Sequence, residues 1–164
     1  MTPAINYLNN NKVIHQVLDY HHDVNVKSYG LEAAEKLSLP SKQVFKTLIV
    51  NSENNQLIVA IVPVSNQLNL KNVAKAIKCK KVVMAEPAVV ERSTGYVLGG
   101  VSPFGQKKRL VTVIDSSALQ HDTIFVSAGK RGLEIGLCPK VLIQLLNAKT
   151  AVLSQQAKPN LDKR

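Results

Sequence analysis

Apolar residues along this chain switch between the spacing of helices and the continuous runs of buried strands. Thr2 and Pro3 read as an N-cap and first helical position, opening a short helix that Asn9, Asn10 and Asn11 stop. Residues 13–20 have the pattern of a strand. Between Gly30 and Leu37, Ala33, Ala34 and Leu37 share one helical face, and Pro40 ends that segment. Residues 44–50 and 57–62 are apolar runs rich in β-branched side chains, joined by polar residues 51–56 in a hairpin pattern. A helix is predicted over residues 69–78, with Leu70, Val73, Ala74 and Ile77 turned inward and Lys71, Lys75 and Lys78 forming a stripe on another face. Residues 81–84 make a short strand, and Pro87 opens a helix through Val89, Val90 and Arg92. After a glycine-punctuated loop from Gly95 to Gly105, strands are predicted at 110–114, 124–128 and 133–135. Pro139 then starts a helix with Leu142, Leu145 and Leu146 inward, and a last strand lies around 151–153.

Helices and strands alternate, yet several consecutive strands lie close enough in sequence to pair antiparallel. That favours a mixed α/β fold, a mixed sheet or partly closed β-barrel surrounded by short helices, over a doubly wound parallel sheet. Residues 1–154 are expected to form one domain. Residues 155–164 lack apolar periodicity and read as a polar, mobile tail.

Composition narrows the partners. Across 164 residues, 21 Lys and Arg against 11 Asp and Glu give a formal charge of +10, which favours an anionic partner. The N-terminus has no basic segment followed by an apolar one, and no stretch approaches the length that spans a bilayer, so a soluble, cytoplasmic protein without a membrane partner is expected. Cys79 and Cys138 form neither a CxxC pair nor a Cys/His set and read as reduced, structural cysteines. With 4% aromatic residues and no Trp, the platforms that stack successive single-stranded bases are missing.

Lys46 stands out against this background. Strand alternation puts it on the face of Val44, Leu48 and Val50, with Phe45 and Ile49 on the other, so both faces read as buried. An unpaired ammonium there needs an anionic or hydrogen-bonding partner, or a water-lined cavity. Two readings stand side by side: a cavity lysine that binds a phosphate, and a strand-end lysine that reaches out to water.

The loop glycines Gly95, Gly99, Gly100 and Gly105 let backbone N–H groups approach a ligand and hold an oxyanion or phosphate, although a turn-forming loop without a ligand is the plainer reading. Gly100 and Gly105 have the separation found in a triphosphate-binding loop, but Gln106 and Lys107 stand where Lys and Ser or Thr are required, which excludes that chemistry. Lys107, Lys108 and Arg109 form one basic cluster, and the Lys71, Lys75, Lys78 stripe with Lys80 and Lys81 forms another. Both are candidate RNA-phosphate contacts, although lysines on a helix most often form a plain solvated face, so the stripe by itself is weak evidence. The segment from Ser127 to Glu134 joins two strands through a basic turn between Gly129 and Gly132, and its two end residues are candidates for a substrate pocket. No GxSxG elbow surrounds Ser127, and none of His15, His21, His22 and His121 is assignable as its base, so a Ser/His/Asp nucleophile is not supported. Adjacent His21 and His22, beside Asp23, point to opposite faces of a strand and lack a third ligand, so no metal site is expected.

Taken together, Val44-Phe45-Lys46-Thr47, the Gly95 to Gly105 loop with its Ser102-Pro103 and Phe104-Gly105 pairs, and Ser127-Ala128-Gly129-Lys130-Arg131-Gly132 resemble the YbaK-type Cys-tRNA(Pro)/Cys-tRNA(Cys) deacylases. These are free-standing relatives of the bacterial prolyl-tRNA synthetase editing domain. The resemblance extends from Thr2 to Leu153, includes Tyr20, His22 and residues 67–81, and keeps the family's motif order. It implies a β-barrel editing domain that removes cysteine wrongly joined to tRNA(Pro), with Cys-tRNA(Cys) as a second candidate substrate. It also implies no cofactor, RNA rather than DNA as the polymer, and a transient complex with prolyl-tRNA synthetase.

By the same resemblance, Lys46 engages the terminal phosphate of the acceptor end, and Gly99 supplies a backbone donor near the scissile carbonyl. Tyr20, Tyr29, Thr47, Gly100, Ser127, Arg131 and Glu134 match substrate-pocket positions. The family is held to use the substrate's own thiol as nucleophile, which agrees with the missing triad. An intramolecular thiol starts with a large proximity advantage, so the protein need only orient the ester and stabilise developing charge. Tyr29 stands where the family commonly has Phe, Ala128 where Gly is common and Glu134 where Asp is usual; Glu134 is the departure expected to shift substrate preference most. Two further readings remain open: editing of another small amino acid such as alanine, and a noncatalytic tRNA-binding adaptor with salt-sensitive binding and no ester cleavage.

Overall fold

The computed structural model describes residues 1–156. Thr2 caps the first helix, its hydroxyl accepting from the Ile5 N–H, and α1 (Pro3–Asn10) buries Ala4, Ile5 and Leu8. Strand β1 (Gln16–Asp19) is shorter than the span expected over 13–20. The Val13 N–H still bonds to the Leu8 carbonyl at 2.9 Å, so the chain is closing the helix there rather than entering a sheet. Helix α2 (Tyr29–Lys36) buries Ala33 and Ala34 and, with them, Glu32.

The hairpin forms where it was expected, from β2 (Phe45–Ser52) and β3 (Leu57–Pro63), in antiparallel register with Lys46 opposite Val62. Next comes β4 (Asn66–Leu68), a half-exposed polar strand with no apolar run to announce it. Asn69 caps α3 (Leu70–Ile77) by accepting from the Asn72 N–H at 3.0 Å, and Val73 and Ala74 turn into the core. Then follow β5 (Val82–Met84), α4 (Pro87–Thr94), β6 (Val111–Asp115), a 3-10 turn over Ser116–Gln120, β7 (Ile124–Lys130) and β8 (Leu133–Leu137). Helix α5 (Pro139–Leu146) and strands β9 (Lys149–Ala151) and β10 (Ser154–Gln156) complete the described chain.

The fold is mixed α/β, as expected. A five-stranded sheet runs β5-β2-β3-β6-β9, antiparallel from β5 to β3 and parallel from β3 to β9. A three-stranded antiparallel sheet runs β1-β8-β7, and β4 pairs with β10. The sheets do not close into the expected barrel. Between β2 and β7 the pairing is reduced to a single parallel bridge, Val44 with Phe125, reinforced by the Gln43 side-chain amide donating to the Thr123 carbonyl at 2.8 Å. Beyond that corner, β2 on one side and β7 and β8 on the other line a cavity, and it occupies the place where a closing ladder would run.

Both faces of the large sheet are covered, and alternation along β3 shows how. Val59 and Ile61 join one core with Phe45, Phe104, Ile114 and Leu142, while Ile58, Ala60 and Val62 join a second with Val50, Val73 and Leu153. Buried Asp115, at the end of β6, fixes the last part of the chain. One carboxylate oxygen accepts from the Leu153 and Ser154 N–H groups at 2.8 and 3.0 Å, and the other from the Ser117 N–H and hydroxyl at 3.3 and 2.5 Å. This clamp draws fully buried Leu153 out of the ladder, so the strand expected at 151–153 is instead split between β9 and β10. Gln155 and Gln156, expected to begin the tail, pair with Gln67 and Asn66; the rest of that segment lies outside the described residues.

Candidate active site

The cavity between the two larger sheets has a volume of about 270 Å³. Lys46 and Thr47 reach it from β2, Tyr20 from just beyond β1, Tyr29 from the first turn of α2 and Gly99 from the glycine loop. Ser127 and Glu134 enter as directly opposed residues of β7 and β8. Seven residues singled out in the sequence therefore meet in one place. Gly100 and Arg131 stand behind its wall. A Cβ on Gly100 would lie 2.9 Å from the Lys130 Cα, and Arg131 reaches the Leu98 carbonyl at 2.8 Å.

The basic candidates lie elsewhere. Lys71 and Lys75 are exposed along α3 and Lys78 at its C-cap, and Lys107, Lys108 and Arg109 are exposed after the glycine loop. Lys108 and Arg109 border a separate cleft of about 130 Å³ with Tyr7 and Leu110.

Three polar groups in the cavity lack what a folded interior normally gives them. Lys46 is half-buried and makes no ion pair among the described residues, and burial lowers its pKa. The Thr47 hydroxyl is buried without a hydrogen-bond partner. Glu134 is 6% exposed, and loss of hydration pushes its carboxyl up to about 8, so at neutral pH it is an acid that can donate a proton. Tyr20 is also shifted upward, by burial first, against a hydrogen bond from the Gly132 backbone. The cavity thus presents a cation, an unpartnered hydroxyl and a neutral acid around an apolar floor that includes Phe45, Ile49 and Val90.

A second buried carboxylate lies beside this wall. Glu32 accepts from the Asp23 N–H at 2.8 Å and pairs with His22 at 2.7 Å and Lys36 at 3.0 Å. Burial alone would raise its pKa, but these partners hold it at about 2. His22 is therefore committed through Nδ1 to Glu32, and its ring packs against Tyr29 with centroids 5.7 Å apart. His22 is not among the residues that line the cavity with Ser127. Among the described residues, no three His, Cys, Asp or Glu side chains are grouped to hold a metal, and both cysteines are free.

Sequence reasoning missed several contributors. Met84 and Ala85 line the cavity because β5 pairs with the far half of β2, a non-local contact with no local signal. Lys27 and Ser28 line it as well, and their position next to Tyr29 was an available clue. The Glu32–Lys36 pair was legible as an i,i+4 contact, but its His22 and Asp23 partners were not.

Fold and cavity together define a mixed α/β protein with a small polar-edged pocket that offers donors and a neutral acid. The aminoacyl-tRNA editing domain model matches residues 23–145, and the chain belongs to that family. The chain is 40% identical over 121 residues to "Putative Cys-tRNA(Pro)/Cys-tRNA(Cys) deacylase EbsC" of Enterococcus faecalis (strain ATCC 700802 / V583), covering 74% of each chain. Among solved structures it is similar to hypothetical protein APE2540, with a TM-score of 0.85 at 22% identity, covering 94% of this chain and 100% of that one. It is also similar to "a putative trans-editing enzyme for prolyl tRNA synthetase", with a TM-score of 0.82 at 22% identity, covering 93% and 95%. At that identity the structural matches speak for the fold, which agrees with the family read from the sequence motifs. Among the described residues no helix is long and apolar enough to cross a membrane.

Proposed function

We propose that the chain is a trans-acting deacylase that frees tRNA(Pro) from wrongly attached cysteine, with Cys-tRNA(Cys) as a second candidate substrate. The observation that carries this reading is the cavity itself: its polar groups can orient an ester and stabilise charge, but none is an activated nucleophile. Such a site suits a substrate that brings its own nucleophile. The cysteine thiol attacks the ester carbonyl carbon, and negative charge grows on the carbonyl oxygen, where the Gly99 N–H receives it. The C–O bond to the ribose breaks, the thiol proton passes to the departing ribose oxygen, and water opens the resulting four-membered thiolactone to free cysteine.

Lys46 holds the terminal phosphate, so that binding energy from a non-reacting part of the substrate fixes the ester over Gly99. Glu134 in its neutral form leaves the pocket without a second anion to repel a developing oxyanion or thiolate. The exposed basic surfaces, Lys71, Lys75 and Lys78 on one side and Lys107, Lys108 and Arg109 on another, carry the tRNA body, in a transient complex with prolyl-tRNA synthetase in the cytoplasm.

Labelled Cys-tRNA(Pro) incubated with the protein tests this directly. The wild type clears the ester, and Lys46→Ala loses roughly 10- to 100-fold in kcat/KM, the worth of a hydrogen bond to a charged group, with an unchanged melting temperature. Persistence of the ester at ample enzyme overturns the reading, and salt-sensitive tRNA binding without cleavage would replace it with an adaptor. Unchanged turnover in Lys46→Ala removes that lysine from the site.

A further inference from the structure

Val97, Leu98, Gly99 and Gly100 form a tight turn closed by the Gly100 N–H donating to the Val97 carbonyl at 2.9 Å. Gly99 has φ +85°, and Leu98 is not among the residues of positive φ, so this is a type II turn. The distinction matters because types I and II differ by a half-rotation of the central peptide, here the Leu98 carbonyl with the Gly99 N–H. Only one of the two states puts that N–H on a given side. The turn is thus a two-position element, and Gly99 is the residue of it that lines the cavity together with Leu98.

Arg131 is set to select one position. Its Nη2 donates to the Leu98 carbonyl at 2.8 Å, and its guanidinium lies 4.1 Å from the centroid of the Tyr29 ring, which is itself a cavity wall. The space between them is closed: a Cβ on Gly99 would lie 2.4 Å from the Tyr29 ring and 2.7 Å from the Arg131 Nε. A trans peptide points its carbonyl and N–H in opposite directions, and no peptide among the described residues is cis. With the carbonyl fixed on the guanidinium, the Gly99 N–H faces away from Arg131, and no acceptor in the described chain takes it.

We propose that Arg131 is a positioning residue that locks the Leu98–Gly99 peptide with its N–H toward the reacting carbonyl, with Tyr29 as the stacking brace that holds the guanidinium in place. This deepens the deacylase reading and rests on it for its kinetic arm. It assigns Arg131 a role different from contact with substrate. The cation also polarises the peptide it holds, which makes the opposite N–H a stronger donor.

The test combines kinetics with a readout of the turn itself. In Arg131→Ala, kcat for Cys-tRNA(Pro) is expected to fall about 100-fold, the lower end of the cost of removing one oxyanion donor, while KM changes less than about twofold and the melting temperature holds because Arg131 is exposed. Arg131→Lys keeps a cationic donor and restores most of the loss. In parallel, stereospecifically assigned three-bond HN–Hα couplings of Gly99 in labelled protein report the sign of φ, and Arg131→Ala is expected to exchange the values of the two Hα protons, as a change from type II to type I requires.

Unchanged kcat in Arg131→Ala, a loss confined to KM, or unaltered Gly99 couplings would each overturn the proposal; a KM effect alone would make Arg131 a direct substrate contact. If wild-type protein leaves the ester intact, the deacylase reading fails, and the couplings still decide whether Arg131 sets the turn.

Discussion

Glu32 and Glu134 are both nearly buried, at 5% and 6% exposure, and the fold treats them in opposite ways. Around Glu32 it places His22, Lys36 and the Asp23 N–H, and the carboxyl is held at about 2. Around Glu134 burial dominates, and the carboxyl is pushed up to about 8. Asp115 sides with Glu32, since backbone N–H groups and a hydroxyl reach both of its oxygens. The chain therefore has the means to satisfy a buried carboxylate where that carboxylate holds the fold together. Glu134 and the neighbouring Thr47 hydroxyl go without, and both line the cavity. An unpartnered hydroxyl and an uncompensated carboxyl facing one cavity are groups that an outside molecule can partner, whereas the other unpartnered buried side-chain oxygen among the described residues, Asn51 Oδ1, lies outside that cavity.

The sharpest way to break this contrast is Glu32→Ala. Removing the carboxylate strands His22 and Lys36 and undoes the link between α2 and the preceding segment, with an expected loss of about 2 kcal/mol in urea unfolding; a loss below ~0.5 kcal/mol would put Glu32 on a par with surface residues. The pH dependence follows with its sign. Between about 2 and 4.5 the unfolded chain binds the Glu32 proton and the native one does not, so the stability Glu32 gives is full above 4.5 and drains away as pH falls toward 2.

For Glu134 the sign reverses. Between 4.5 and about 8 the native state holds the extra proton, so its contribution is most favourable below 4.5 and is lost as pH rises through 8. Glu134→Gln, a neutral stand-in for the protonated acid, should abolish the decline between pH 4.5 and 8 and so be more stable than the wild type at pH 7, as followed by denaturant midpoints from pH 4 to 9. A decline as steep as in the wild type would assign it to another group. The smallest effect belongs to Thr47→Val. Replacing an unpartnered buried hydroxyl with a methyl should stabilise the fold by about 0.5 kcal/mol while lowering deacylation, a split that calorimetry and the ester assay read separately.

Much of this could be read before folding. The hairpin was legible because β-branched runs flank a polar connector, and α3 because Asn69 caps a clean apolar stripe. Lys46 was conspicuous for being charged in an apolar strand, and the glycine loop for its backbone freedom. What stayed hidden is non-local. Strand β4 has no apolar pattern and exists because β10 returns to pair with it. The barrel expected from strand spacing fails at one corner, where Val44 and Phe125 make a lone bridge. Glu134 was singled out as a pocket position, but the opposite treatment of Glu32 was not legible, because its partners His22 and Asp23 join Lys36 around it only in the fold.

The central claim is that the pocket supplies orientation and charge stabilisation while the substrate supplies the nucleophile. Deacylation rates for Cys-, Ala- and Ser-tRNA(Pro), measured side by side on one preparation, test it most directly. The account predicts rapid release of cysteine, with alanine and serine at least ~100-fold slower because neither brings a thiol to the carbonyl. Equal rates for the three would contradict it.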